Sequence, residues 1–238
     1  MWFVEDAMQS EKTVTAARLR APRAAAIAGI LFAALLMTSF LLIRLAVPAD
    51  PLEAGAWLQT RSNTVALALN LVPFAGIAFL WFIGVLRDRL GEREDRFFAT
   101  VFLGSGLLFL AMLFMSAAMV GGLIIAYTAD STRLLGSPTF TSARAIAYEI
   151  MNIYAIKMAG VFMVVTSTLA LRTGFLARWI AFLGFAVALL LLLSSRYIEG
   201  ILLAFPLWVL LISLYILIDN LRQPSPVVAI TLEKERRG

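Results

Sequence analysis

Six apolar runs, separated by short polar connections, dominate the pattern along this chain. They cover about 24–47, 65–86, 97–127, 145–171, 175–193 and 198–218. None alternates with the period of two that a half-buried strand would show, and each is close to the ~20 apolar residues a helix needs to cross a bilayer. The pattern predicts an all-α polytopic membrane protein: a six-helix transmembrane domain over 24–219, an N-terminal segment 1–23 and a tail 220–238. Within it, Pro73 falls inside the second span, where neighbours can satisfy the freed backbone group, Pro206 reads as a kink in the sixth, and Gly174 as the stop of the fourth. The first run is about twice the usual length of a signal-peptide core and contains Arg44, so it reads as a retained span.

Composition agrees and removes whole classes of chemistry. The chain has 238 residues, 61% of them hydrophobic, and its mean hydropathy is +0.90, more apolar than a globular surface tolerates. It has no cysteine and no histidine. Disulfides, thiolate nucleophiles, imidazole-ligated haem or zinc and Ser–His catalysis are therefore excluded. No cofactor and no metal site is expected.

The net charge of +5 acquires meaning only from where the basic residues fall. Fourteen lie in the N-terminal segment, the 87–96 loop, the 172–178 loop and the tail; only Arg61, Arg133, Arg144 and Arg196 lie in the alternate connections. By the positive-inside rule both termini are cytoplasmic, and the expected location is the plasma (inner) membrane. The partner implied by these charges is the lipid bilayer, not nucleic acid. In the 87–96 loop, basic and acidic residues alternate and nearly cancel, which describes a solvated turn. The tail is proline-punctuated and of mixed charge.

From this loop through Phe97-Phe98-Ala99-Thr100-Val101-Phe102-Leu103-Gly104-Ser105-Gly106, the chain resembles six-span integral membrane proteins of bacteria whose activity is uncharacterised. The resemblance covers the second and third spans, contains no catalytic motif and implies no activity.

Polar residues concentrate in one place, Tyr148 to Lys157 of the fourth span. Lys157 stands 13 residues from Arg144 and 15 from Arg172, so at 1.5 Å per residue it lies about 20 Å from either end. A lysine stem cannot reach water over that distance, and an ionisable group at such depth is a functional-site hypothesis by default. The bland alternative is an amine bonded to carbonyls inside the bundle. Glu149 is eight residues away, about 12 Å along the axis, and its expected partner is Arg44 in a structural ion pair. Asn152, Tyr154 and Asn70 complete the candidate ligand-binding set of Glu149, Lys157, Asn152, Tyr154 and Asn70, while Tyr148 reads as an interfacial aromatic. Met112, Met115 and Met119 form a core-filling stripe. Ser105, between two glycines, has no histidine to activate it, and no lysine follows Gly121-Gly122 to make a phosphate loop.

Three functions fit these residues. The leading one is a non-catalytic membrane subunit or assembly scaffold, with a membrane-protein partner or a second copy, whose buried charges set helix register. The second is a permease or carrier for a small or lipid-like molecule, using a polar cavity around Glu149 and Lys157. The third, a lipid-acting enzyme, would need more converging polar groups than one helix supplies. Pro73 and Pro206 do not fall at matching positions of two three-span halves, so the mark of an inverted-repeat transporter is missing.

Overall fold

The computed structural model describes residues 2–48, 50, 55–90, 96–193 and 200–222, with the backbone alone at 2–23, 88–90, 96 and 222. Among them the chain is helical: α1 (Trp2–Ala46), α2 (Ala56–Thr60), α3 (Ser62–Leu90), α4 (Arg96–Ala129), α5 (Ser131–Leu134), α6 (Pro138–Glu149), α7 (Ile156–Thr173), α8 (Arg178–Leu193) and α9 (Ala204–Arg222). A π-helical segment, Ile150–Ala155, joins α6 to α7, and a 3₁₀ turn, Ile201–Leu203, leads into α9. The centre of the 87–96 loop, Arg196 and the tail beyond Arg222 lie outside the described residues.

Five helical segments are long and apolar enough to cross a membrane: Ala24–Ala46, Ser62–Arg87, Phe97–Ala129, Pro138–Thr173 and Ile201–Leu221. The fifth apolar run contains α8, whose start is delayed because Gly174 (φ 71°) ends α7 in the left-handed conformation and the turn uses the residues up to Ala177. The 16 described residues of α8 span about 24 Å at 1.5 Å per residue, and the residues from 194 to 199 lie outside the described ones. Pro206 does not kink a helix as expected. It occupies the first turn of α9, where a missing N–H costs nothing. Pro73 is inside α3, and one residue before the carbonyl it would orphan, Ala68 O accepts from the buried Ser39 hydroxyl of α1 at 2.8 Å.

The helices run up and down, so the bundle has two ends, named here for Arg172 and Arg144. At the first, the Arg172 guanidinium lies 4.4 Å from the centre of the Phe98 ring, joining the end of α7 to the start of α4. The 33-residue α4 span and the 36-residue Pro138–Thr173 span are about 50 and 54 Å long, so they overshoot the shorter helices at the Arg144 end. There a small second core of Trp57, Leu58, Val65, Leu123, Leu134 and Phe140 holds the overshoot together. Its turns are capped locally. The Ser137 hydroxyl accepts from Phe140 N (3.2 Å) with Pro138 at the first helical position. The Asp130 carboxylate accepts from the Thr132 hydroxyl (2.8 Å) and from Arg133 N (3.1 Å), and these bonds hold its pKa below the ordinary carboxylate value.

The main core is aromatic. Five helices contribute the rings at its centre, Phe32 (α1), Phe79 (α3), Phe109 (α4), Phe162 (α7) and Phe205 (α9), and Phe82 and Phe102 stack beside Phe79 and Phe162. Centroids are 4.5 Å apart for Phe32–Phe79, 5.3 Å for Phe79–Phe162 and 4.8 Å for Phe109–Phe205. Tilted and edge-on arrangements at these distances are the favoured ones. Large apolar side chains such as Phe74, Trp81 and Phe182 are left on the outside of the bundle. In water such a surface would be a liability, whereas in a bilayer it is the solvated face.

Candidate functional site

Three arginines gather where α1 ends. Arg44 is in its last turn, the Arg61 guanidinium donates to Leu45 O, and Arg144 Nη2 donates to Pro48 O at 2.9 Å. The last carbonyls of a helix lack amide partners and carry the negative end of its dipole, so cations belong there. Arg144 is only 6% exposed. Hydropathy places it in a connection, at the edge of a span. In the structure α6 begins six residues earlier, at Pro138, and carries Arg144 into the wall of the bundle. The Ser137-Pro138 pair, a helix cap followed by a first-turn proline, is the signal that marks this start.

Next to these arginines is a cavity of about 420 Å³. Its walls come from α1, α3, α4, α6, the π-helical segment and the Gly200–Leu203 turn. Most of the lining is apolar, with Phe40, Leu69, Leu113 and Leu202 among it; the polar members are Arg44, Ser116, Arg144, Tyr148 and Asn152. The Ser116 hydroxyl donates to Ala147 O at 2.9 Å, tying α4 to α6, and Asn152 Nδ2 donates to Tyr148 O at 2.9 Å. Beside it is a void of about 10 Å³, bordered by Phe109 and Phe205 of the aromatic cluster. That is smaller than the ~30 Å³ share of one water in the liquid.

Of the residues singled out in the sequence, Arg44 and Asn152 thus meet in the cavity. They are joined there by Tyr148, whose pattern alone marks it as an interfacial aromatic. Asn70 does not line it and is exposed on α3, and Tyr154 is 59% exposed on the outside of the bundle. Glu149 is half-buried, one residue on from Tyr148, and outside the lining. The Arg44–Glu149 pair stays an expectation from the sequence. One contact between α6 and the chain just after α1 is Arg144 to Pro48. Lys157 is not in the cavity either. Its Nζ donates to Leu192 O of α8 at 2.7 Å. This bond ties α7 to α8 through a backbone carbonyl, the kind of polar tie that holds neighbouring helices together in an apolar bundle. The π-helical segment explains the separation. A turn closed at i→i−5 inserts an extra residue, so the faces of α6 and α7 no longer follow one 3.6-residue register. Residues before the insertion and in its first turn, Asn152 among them, line the cavity, and Lys157 just after it points to α8.

Among the described residues no group of three or more acidic, histidine or cysteine side chains could hold a metal ion. Comparison with protein families, with curated proteins and with solved structures gave no match, so the resemblance to bacterial six-span proteins gains no support from them.

Proposed function

We propose that this chain is a non-catalytic carrier or binding protein of the bacterial inner membrane that holds a lipid-like molecule at the Arg144 end. The observation that carries the reading is the cavity: about 420 Å³, apolar walls, a few polar groups gathered at one end, and an aromatic plug beneath. Ligand sites of this kind have volumes of roughly 300–1,000 Å³ and a small number of placed polar groups. An open pore is a poorer fit, since five packed phenyl rings stand between the cavity and the other end. In this proposal α8 makes a sixth crossing and both termini are cytoplasmic. The fourteen-to-four bias of basic residues supports that orientation, and it turns the cavity toward the outer leaflet.

The test is native mass spectrometry of the full chain released from its membrane. One lipid-like adduct per chain is expected, and Ala117→Trp, which fills the cavity from α4, should remove it while the protein stays monodisperse. Absence of any adduct, or equal occupancy in the variant, would overturn the reading.

A second reading, a scaffold subunit, is favoured by one observation. Ser39, Arg61, Ser116, Arg144 and Lys157 all spend hydrogen bonds on backbone carbonyls of other segments. Such ties fix helix register with no ligand involved.

A further inference from the structure

The cavity carries a charge that a neutral lipid would not use, and this refinement of the ligand rests on the lipid-holding function proposed above. Two guanidiniums line it, Arg44 at the rim and the buried Arg144 on the wall, and none of the described lining residues is an aspartate or glutamate. Arg144 bonds Pro48 O, four residues on from Arg44, so both cations stand at the same end of the cavity. A guanidinium has five N–H donors in a fixed fork, so each can keep its protein contacts and still grip an oxyanion through two of them. The surrounding walls are apolar, and in such a medium an oxyanion bonded to a guanidinium is held more strongly than in water.

Size narrows the ligand further. With ~30 Å³ per water-sized group, 420 Å³ has room for about fourteen such groups. This suits one chain of about a dozen carbons with its head, and it is too small for two full-length acyl chains. We propose that the ligand is a single-chain amphiphile with an oxyanion head, carboxylate or phosphate. Its head rests against Arg44 and Arg144, and its chain runs along Phe40, Leu113 and Leu202.

The experiment uses the full chain in nanodiscs of phosphatidylcholine at pH 8, with empty nanodiscs as the partition blank. Four probes are titrated: dodecanoic acid, dodecyl phosphate, dodecan-1-ol and dioleoyl phosphatidic acid. Saturable binding of at least one single-chain anion is expected, about tenfold or more tighter than the alcohol, because charge-assisted hydrogen bonds are lost with the head. Arg44→Gln, which leaves the Arg144–Pro48 tie in place, should remove about that factor for the anion and leave the alcohol unchanged. The tighter of the two anions identifies the head as carboxylate or phosphate. Alcohol binding as tight as either anion would overturn the charge requirement while leaving a lipid-like ligand standing. Equal binding of the two-chain phosphatidic acid would overturn the single-chain requirement. No saturable binding of any probe would overturn both this inference and the function proposed above.

Discussion

Lys157→Glu is expected to abolish the folded protein. The amine meets Leu192 O of α8 at 2.7 Å. A hydrogen bond from a charged donor contributes ~1.5–3 kcal/mol. A carboxylate has no donor for the carbonyl and sets its negative charge against the carbonyl oxygen. Leaving a buried charge uncompensated costs ~3–5 kcal/mol. Against a total stability of ~5–15 kcal/mol, that is enough to lose most of the folded population. Lys157→Arg keeps donor, charge and reach and should melt close to the parent. Lys157→Met loses the donor without adding a wrong charge, and it should fall between the two, ~1–3 kcal/mol below the parent. Thermal melting of the three purified variants checks the order. A glutamate variant as stable as the arginine variant would remove the role given to the Lys157–Leu192 tie.

Gly184→Val is the second large effect expected, and it acts through space rather than charge. A Cβ at Gly184 would lie 2.2 Å from Ser167 Oγ and 2.9 Å from both Cζ2 and Nε1 of Trp208, where α7, α8 and α9 come closest. Trp208 and Ser167 are buried, and an indole ring packed on all sides cannot turn away. Valine is a better helix former than glycine by a few tenths of a kcal/mol. Overpacking typically costs ~1–3 kcal/mol and occasionally more, so the steric term decides the sign. A melting temperature several degrees lower, or loss of the monodisperse peak, is expected. Gly122→Val on the exposed side of α4, where a Cβ would meet nothing within 4 Å, should be neutral and serves as the control. Equal behaviour of the two variants would mean that the three-helix contact is looser than described.

Hydropathy alone reveals the helical membrane class and the approximate position of five of the six apolar runs, because exclusion of unsatisfied backbone from hydrocarbon leaves few alternatives. The inner face of each helix is another matter. Lipid tails are as apolar as a core, so the side of a span that carries Phe32 or Phe79 looks no different in sequence from the side that carries Phe74. The aromatic cluster is invisible for that reason. Lys157 is identifiable on energetic grounds, since an amine that deep has to be accommodated. Its partner is not, because it depends on how α8, which starts at Arg178, packs against α7. Asn152 and Arg44 stand out for their polarity in apolar surroundings. Arg144 escapes notice because an arginine at the end of a hydropathy window reads as a boundary, although Ser137-Pro138 announces the helix. The π-helical segment leaves no mark that a 3.6-residue period can register, and it is what divides the cavity residues from Lys157.

Because the chain has no cysteine, one introduced thiol reports on the cavity without background. Ala117→Cys puts it on the cavity wall, and Gly122→Cys, further along α4, puts it outside. Both variants would be treated with a membrane-impermeant maleimide in right-side-out vesicles, with and without dodecanoic acid. The expected result is that the acid slows modification of Ala117→Cys several-fold and leaves Gly122→Cys unaffected. Modification of Ala117→Cys at the same rate with and without the acid would contradict a ligand-holding cavity at the Arg144 end.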